Sequence, residues 1–316
     1  MKHRPLRVAL LLLVTGLTAS VGFGANRYRD EAFLPAYKPS DLIVEHLGYT
    51  LCYSEKDEQA VWVAYELTAS ETKNRLRRSD NFREDPAIPT GSATPSDYQG
   101  SGYDRGHLAP AADMEWSKEV MSESFFMSNM SPQKPDLNRG KWKDLEEQVR
   151  EWAVQNGALY VVTGPTLTQK ALGTIGKNKV TVPASYYKVI VDLSEPEIKG
   201  VGFLMPNTAL KESVASYAVP IDQIEKVTGL NFFPKLSAQT EKVVEGSIDL
   251  AVWGWPGEKV AAGAERPRRA ASRESVQEEV PTSLPPSAET AWKGIPTWVL
   301  ILVGILLVLR LYKRFR

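Results

Sequence analysis

Side chains suited to acid–base and phosphate chemistry are concentrated in one stretch of this chain, from Tyr103 to Arg150. The stretch contains a histidine, an asparagine, a carboxylate and arginines, namely His107, Asn138, Glu146, Arg105 and Arg150. Hydrolysis of a phosphodiester requires a base that activates water, positive charge that stabilises the pentacoordinate phosphorus, and assistance to the leaving oxygen. The stretch supplies a side chain for each role, so it predicts a metal-assisted site for phosphodiester cleavage.

His107 is the candidate general base. The chain has three histidines, and His3 lies in a predicted targeting segment. Of the three, His107 is the one in a polar sequence context beside a glycine. Its unperturbed pKa, near ~6.5, suits proton transfer at neutral pH. The alternative interpretation is a structural histidine with no chemical role.

The shortage of nitrogen and sulfur ligands limits which metal the chain can hold. The single cysteine, Cys52, lies in an apolar run, and it excludes intrachain disulfides and cysteine-based zinc sites. Three histidines nearly exclude a multi-histidine site, which leaves a metal bound through oxygen. Asn138 would give its amide oxygen to Mg²⁺, with Mn²⁺ as a substitute ion. The alternative for Asn138 is a helix cap worth about 1 kcal/mol.

Glu146 and Arg150 lie four residues apart in a segment with helical spacing, so they project from one face of a helix. The functional interpretation is that Glu146 holds a metal-bound water and that Arg150 faces the phosphate. The alternative is an ion pair on the protein surface, which would contribute about 0.3 kcal/mol to stability.

The overall charge does not indicate a nucleic-acid partner, because 38 basic side chains balance 38 acidic ones. Any phosphate-binding surface must therefore depend on the placement of a few arginines. Residues 73–84 carry several arginines around Phe82. Contact with phosphate is one interpretation of this segment, and a solvated basic loop is the other.

The elements that must position these side chains can be read from hydrophobic periodicity. Residues rich in β-branched and aromatic side chains predict strands at 49–53, 60–67, 159–163, 186–193 and 201–205. Helical spacing predicts helices at 142–155, 210–218 and 221–228. Residues 86–102 are typical of a loop, and residues 247–253 offer a strand that would close the sheet. The irregular order of strands and helices favours an α+β domain over a repeating βαβ unit.

Both ends of the chain differ from the middle, which predicts one domain with two appendages. Residues 1–25 have the layout of a signal peptide or membrane anchor, residues 26–256 form the domain, residues 257–294 are a disordered linker, and residues 295–316 are a transmembrane helix with a basic tail. The basic tail predicts a cytoplasmic C-terminus. We therefore expect a single-pass protein of the cell membrane, with its domain extracytoplasmic, either periplasmic or at the cell surface. A processed sorting tail is the alternative for the last segment.

Three motifs together resemble the DNA/RNA non-specific endonucleases of the ββα-metal superfamily. They are Ser101-Gly102-Tyr103-Asp104-Arg105-Gly106-His107-Leu108-Ala109-Pro110, then Ser128-Asn129-Met130-Ser131-Pro132-Gln133, then Asn138-Arg139-Gly140 with Trp142, Glu146 and Arg150. The asparagine that follows the histidine by 31 residues makes the match more specific than either motif alone. Weaker similarity extends from about residue 49 to residue 253. The resemblance implies a ββα-metal nuclease fold, with a mainly antiparallel sheet flanked by helices.

The resemblance also implies a role for each candidate residue. His107 would be the general base, Asn138 the direct magnesium ligand, and Glu146 a group that binds a metal-bound water. Arg105 and Arg150 would be catalytic residues that support the phosphate. Asp104 would orient the motif, and Asn129 would help to build the substrate-binding side of the site. In the family, an arginine that precedes the Asp-Arg-Gly-His motif also contributes to substrate binding. Arg78 is the first choice for this role, and Arg83 is the other candidate.

The expected activity is magnesium-dependent hydrolysis of DNA and RNA that leaves 5′-phosphate ends. The expected partners are the nucleic-acid substrate, the membrane through the C-terminal helix and a second copy in a homodimer, with no protein-partner motif evident. Three alternatives remain open: a catalytically inactive nucleic-acid-binding module, a phosphodiesterase acting on small nucleotide diesters, and a structural anchor protein.

Overall fold

The computed structural model describes residues 33–73, 76–194 and 197–255. The predicted signal segment at 1–25, linker at 257–294 and transmembrane helix at 295–316 lie outside these described residues. Among the helices that are described, none has the length and apolar character needed to cross a membrane.

The fold is built on one seven-stranded sheet. Its strands are β1 (Leu42–Glu45), β2 (Thr50–Ser54), β3 (Gln59–Thr68), β6 (Ala158–Pro165), β9 (Ser185–Asp192), β10 (Lys199–Pro206) and β11 (Ala218–Val219), in that spatial order. Every neighbouring pair is antiparallel, as expected for this fold class. The five strands predicted from the sequence are confirmed, because their β-branched and aromatic residues bury both faces of the sheet.

Two smaller ladders lie outside the main sheet. One pairs β4 (Asp104–His107) with β5 (Met130–Gln133), and the other pairs β7 (Gly173–Ile175) with β8 (Val180–Val182). Two short helices, α1 (Pro95–Tyr98) and α2 (Lys118–Glu123), lie in the connections around β4. The predicted loop at 86–102 is therefore interrupted by α1.

Helices cover both faces of the main sheet. The face under α3 (Trp142–Asn156) packs against the buried side of that helix, including Trp142, Leu145 and Trp152. The opposite face packs against α4 (Ile221–Thr228) and α5 (Ala238–Glu245). The predicted helices at 142–155 and 221–228 are confirmed. Gly157 and Gly229 end them, with φ of +89° and +73°.

Two predicted elements are wrong. Residues 210–218 form no α-helix, because only Val214–Tyr217 make a 3₁₀ turn and the chain then extends into β11. Pro220 favours this extended path, since proline disfavours helical geometry in the residue before it. Residues 247–253 form no strand either. Leu250–Trp253 make a 3₁₀ turn in which the Asp249 side chain accepts a hydrogen bond from the Ala251 amide.

Candidate active site

The residues of the predicted site come together where the β4–β5 ladder meets the start of α3. Gly106 in β4 lies opposite Ser131, and a Cβ atom at Gly106 would lie 2.2 Å from Gln133 Oε1. The Gln133 side chain therefore lies directly over Gly106, and any larger residue there would have to displace it. After β5, the wide helical turn Leu137–Lys141 bends at Gly140 and leads directly into α3.

Asp104 orients Asn138. The Asn138 Nδ2 group donates a 2.9 Å hydrogen bond to Asp104 Oδ2, and Arg139 adds bonds of 2.8 and 2.6 Å to the same carboxylate. The guanidinium and amide donors offset the effect of burial, so the pKa of Asp104 lies below its usual value. Asn138 does not cap α3, since Lys141 occupies the residue before that helix. Because its nitrogen is engaged by Asp104, Asn138 keeps Oδ1 as an acceptor for a ligand.

His107 is held in an aromatic pocket. Its side chain is 8% exposed and packs edge-on against Phe125 at 4.9 Å and against Phe82 at 5.7 Å between ring centroids. Burial, and then the charges of Arg78 and Arg105, lower its pKa to about 3. Within the described part of the chain, no hydrogen-bond partner reaches Nε2. Burial and the two arginines therefore favour a neutral imidazole, and its Nε2 atom is shielded from solvent.

Arg78 and Arg105 lie on the same aromatic pocket. The Arg105 guanidinium stacks 4.0 Å from the centre of the Phe82 ring, and that of Arg78 lies 4.8 Å from the Phe125 ring centre. The Arg78 side chain is 49% exposed and binds Asp80 at 2.7 Å. Both guanidinium groups can therefore face an anion that approaches the histidine.

Arg83 is directed to another part of the domain. Its guanidinium donates to the Ser122 carbonyl at 2.8 Å and covers the Phe126 ring at 4.0 Å. The geometry therefore favours Arg78 over Arg83 as the arginine that precedes the motif and acts at the site.

Glu146 and Arg150 do not form the surface ion pair that helical spacing allowed. Arg150 donates a 2.8 Å hydrogen bond to the buried Asp113, which also accepts one from the Tyr65 hydroxyl at 2.8 Å. Burial raises the pKa of Glu146, and the positive charge of Lys188 is the largest opposing effect. Arg150 is thus held by a carboxylate, and the charge of the buried Lys188 favours the ionised form of Glu146.

Asp113 and Lys188 were missed in the sequence. Asp113 follows the motif in the 3₁₀ turn Ala111–Met114, and the only signal for it is an acidic residue between apolar neighbours. Lys188 gives a clearer signal, because it is a charged residue within the apolar run of β9.

Asn129 is fully buried, and both ends of its amide are engaged. Its Oδ1 accepts from the Ala109 amide at 2.9 Å, while Nδ2 donates to the carbonyls of Ala109 and Ser124 at 2.9 and 2.8 Å. With no exposed polar atom, the side chain fixes the loop after His107. The geometry supports the expected role in building the site, but not direct contact with a substrate.

A cleft of about 540 Å³ opens on the side of the site that carries Asp104 and Asn138, and its lining does not include His107, Glu146 or Arg150. Its lining includes Phe82, Tyr98, Tyr103, Asp104, Arg105 and Asn138. Among the described residues, the one group of three acidic, histidine or cysteine side chains close enough to hold an ion lies elsewhere, at Asp222, Glu225 and Glu245. A metal at this cleft would therefore be bound by Asn138 and water, which fits an ion such as magnesium that keeps most of its waters.

Comparisons with known proteins agree with this geometry. The DNA/RNA non-specific endonuclease family model matches residues 36–239. A nuclease from Nostoc sp. is 37% identical over 223 residues, which cover 67% of this chain and 80% of that protein. Human mitochondrial endonuclease G is 36% identical over 206 residues, which cover 61% of this chain and 69% of that protein.

A solved structure shows the same architecture. One chain in the crystal structure of an EndoG/EndoGI complex superposes with a TM-score of 0.61 and 31% identity, covering 67% of this chain and 91% of that chain. The family match spans more than half of the sequence and includes the site from Arg78 to Lys188. The protein is therefore a nuclease acting on nucleic acids, and the chain belongs to the DNA/RNA non-specific endonuclease family.

Proposed function

We propose that this protein is a magnesium-dependent, sugar-non-specific endonuclease that hydrolyses DNA and RNA with His107 as general base and leaves 5′-phosphate ends. The observation that carries the proposal is that two side chains of the site each keep a polar atom without a protein partner. Nε2 of His107 is buried and has no hydrogen-bond partner among the described residues, and Asn138 keeps Oδ1 available because Asp104 binds its nitrogen.

The residues divide the reaction between them. His107 accepts a proton from water, and the resulting hydroxide attacks the phosphorus in line with the leaving 3′ oxygen. Asn138 would hold Mg²⁺, which supplies positive charge for the leaving oxygen when it is bound. Glu146 would accept hydrogen bonds from water held by such an ion, and Arg105 and Arg78 stabilise the charge that develops on the phosphoryl oxygens.

The low pKa of His107 fits this role once substrate binding is considered. In the free protein, burial and the charges of Arg78 and Arg105 lower the pKa to about 3. A phosphodiester anion beside the same arginines offsets their field, so it raises the proton affinity of His107. The base therefore stays unprotonated before binding and gains strength when the scissile phosphate arrives.

The composition of the cleft supports weak sequence preference. Its charged lining residue Arg105 suits a phosphate, and the partly buried rings of Phe82 and Tyr103 add apolar surface that any base can contact. Contacts of this kind recognise the backbone and the general shape of a base rather than its hydrogen-bonding edge. We expect cleavage of both DNA and RNA, and we expect it to weaken as salt concentration rises.

Plasmid nicking and RNA degradation, measured with and without EDTA, test the proposal. His107→Ala should abolish cleavage while Mg²⁺ binding persists, because the base lies outside the metal's direct coordination. Glu146→Gln should lower activity strongly, whereas its exposed neighbour in Glu147→Gln should leave activity near the wild-type level. Wild-type turnover by His107→Ala would refute the mechanism. Tight nucleic-acid binding by the wild type without any cleavage would identify an inactive binding module instead.

The proposed location is the cell membrane, with the nuclease domain on its extracytoplasmic side. The support is the basic N-terminal segment followed by an apolar run, together with the apolar C-terminal run followed by a basic tail. Protease digestion of intact and permeabilised cells tests the orientation. A domain that resists protease until the cytoplasmic membrane is opened would contradict it.

A further inference from the structure

Three carboxylates outside the active site come together where α4 and α5 meet. Asp222 and Glu225 are three residues apart in α4, and Glu245 is the last residue of α5. One oxygen of each carboxylate lies within 4.8 Å of an oxygen of both others. The two helices cover the sheet face opposite α3, so this acidic cluster of Asp222, Glu225 and Glu245 is separate from the cleft beside Asn138.

Packing on the main sheet holds the two helices in place. Gly200 and Gly202 of β10 lie beneath them, and a Cβ atom at Gly200 would clash with the carbonyl oxygen of Val244 in α5. A Cβ atom at Gly202 would likewise meet the Ile224 side chain of α4. The two glycines therefore let both helices pack directly on the strand. The carboxylates are brought together by core packing, and their proximity does not depend on mobile surface side chains.

Glu245 is buried without a partner for one of its oxygens. The residue is 1% exposed, and within the described part of the chain no hydrogen-bond donor reaches its Oε1. The ion pairs formed by the described residues include none of the three carboxylates of the cluster. Burial, and then the charges of Glu225, Glu241 and Asp222, raise the pKa of Glu245 to about 8. A buried carboxylate with an unpaired oxygen destabilises a fold unless a donor or a cation compensates it.

Asp222 and Glu225 connect the cluster to solvent. Both are partly exposed, so an ion can reach the cluster and water can complete its coordination. Glu225 is also fixed in place, because its Oε1 accepts a 2.8 Å hydrogen bond from the Phe232 amide. An ionised carboxylate that accepts one such bond keeps further lone pairs for a metal. The cluster thus combines a buried ligand with two accessible ones.

The ligand type and spacing favour Ca²⁺. A set made only of carboxylate oxygens suits a hard divalent cation, whereas zinc and copper prefer histidine or cysteine. Ca²⁺ binds oxygens at about 2.3–2.6 Å, so two of its ligands can lie up to about 5 Å apart. Mg²⁺ binds at about 2.0–2.1 Å, which limits the separation to about 4.2 Å. The oxygens of the cluster, within 4.8 Å of one another, therefore fit around Ca²⁺ with little rearrangement.

We propose that Asp222, Glu225 and Glu245 form a calcium site that joins α4 to α5 and stabilises the domain independently of the ion in the active site. The carboxylates supply ligands from both helices, and water fills the remaining positions. The unfolded chain does not hold these residues together, so Ca²⁺ binds the folded state and adds its binding free energy to stability.

Calorimetric titration of Ca²⁺ into the full-length protein tests the site. The protein carries Asn138→Ala, which removes the proposed active-site ligand, and it is freed of metal with EDTA before the titration. We expect a single Ca²⁺ to bind with a Kd of about 0.1 mM or lower, and Mg²⁺ to bind at least about tenfold more weakly. Adding Glu245→Gln should weaken Ca²⁺ binding at least about tenfold, because a charged ligand is lost.

Glu241→Gln is the matched control. Glu241 lies one helical turn before Glu245 in α5, and its substitution removes the same charge without removing a member of the cluster. We expect Ca²⁺ affinity to stay within about threefold of that of the parent protein, since a charge that does not coordinate the ion contributes little. Equal losses in the two variants would show diffuse attraction in place of coordination, and they would overturn the proposal. Absence of Ca²⁺ binding by the parent protein would also overturn it, and Mg²⁺ binding as tight as that of Ca²⁺ would refute the assignment to calcium.

Thermal unfolding in EDTA and in Ca²⁺ tests the effect on stability. Ca²⁺ at about 100 times its Kd should raise the melting temperature of a domain of this size by roughly 5 °C. Asp222→Asn and Glu225→Gln change partly exposed residues, and each should lose most of this rise. A packing defect lowers the melting temperature equally with and without Ca²⁺, so it does not imitate the loss of a ligand. If Glu245→Gln does not fold, these two variants decide: a full Ca²⁺-induced rise in both would overturn the proposal.

Discussion

Acid stability offers a direct test of the environment of His107, because it depends on neither substrate nor metal. The perturbation is His107→Gln, which keeps a polar side chain but removes the titrating group. In the folded protein, burial and two nearby arginines lower the pKa of His107 from 6.5 to about 3. A group whose pKa is lower in the folded protein than in the unfolded protein contributes fully to stability at pH values above its unfolded pKa. This contribution is lost as the pH falls.

The size of the effect follows from the two pKa values. With a folded pKa of about 3 and an unfolded pKa of 6.5, the wild type loses almost no stability to this group at pH 7 and about 2 kcal/mol at pH 5. Since the side chain is 8% exposed, solvent screening reduces this figure little. The stability of the wild type relative to His107→Gln should therefore fall by about 2 kcal/mol between these pH values, roughly 25-fold in the unfolding equilibrium.

The assay is urea unfolding of both proteins in EDTA at several values between pH 7 and pH 5. All other titrating groups are common to the two proteins, so their contributions largely cancel in the difference. Any packing defect that glutamine introduces shifts the difference by a constant and leaves its slope with pH unchanged. A difference that stays flat over this range would show that His107 protonates freely in the folded state, and it would refute the argument for a buried neutral base.

Three further predictions concern the residues around the base. Asp104→Asn should weaken Mg²⁺ binding by about 10- to 100-fold in calorimetric titration, because Asn138 loses the carboxylate that orients its amide. Arg78→Ala should lower kcat/KM with little change in melting temperature, whereas Arg83→Ala should lower the melting temperature more than kcat/KM; the reverse pattern would exchange their roles. Gly106→Ala should destabilise the protein by about 1–3 kcal/mol in urea unfolding, because its Cβ atom would clash with a neighbouring side chain at 2.2 Å.

The strands and the main helix could be predicted because their sequences agree with their tertiary environment. The β-branched and aromatic residues of β3, β6 and β9 bury both sheet faces, and the periodic apolar residues of α3 face one of them. The two wrong elements are short segments in which that agreement fails. Residues 210–213 are mostly exposed and lead into an edge strand, so the apolar spacing of 210–218 reflects two different local structures.

Residue types and spacing identified the chemistry of the site but not its internal contacts. Asn138 could be singled out as a ligand or a cap, yet the deciding contact is its bond to Asp104, 34 residues earlier in the chain. The partner of Arg150 is Asp113, at a separation of 37 residues, and it lies on a different element. Such contacts depend on how the ladder, the helix and the sheet pack together, and no local periodicity encodes them.

The balanced charge of the chain is compatible with a polyanionic substrate because the carboxylates at the site are neutralised locally. Asp104 is held by Arg139 and Asp113 by Arg150, so neither presents an uncompensated negative charge to a phosphate. The field that remains at His107 is positive, since nearby arginines contribute to its lowered pKa. Phosphate recognition therefore depends on a local excess of positive charge at the base, which a count of residues over the whole chain does not reveal.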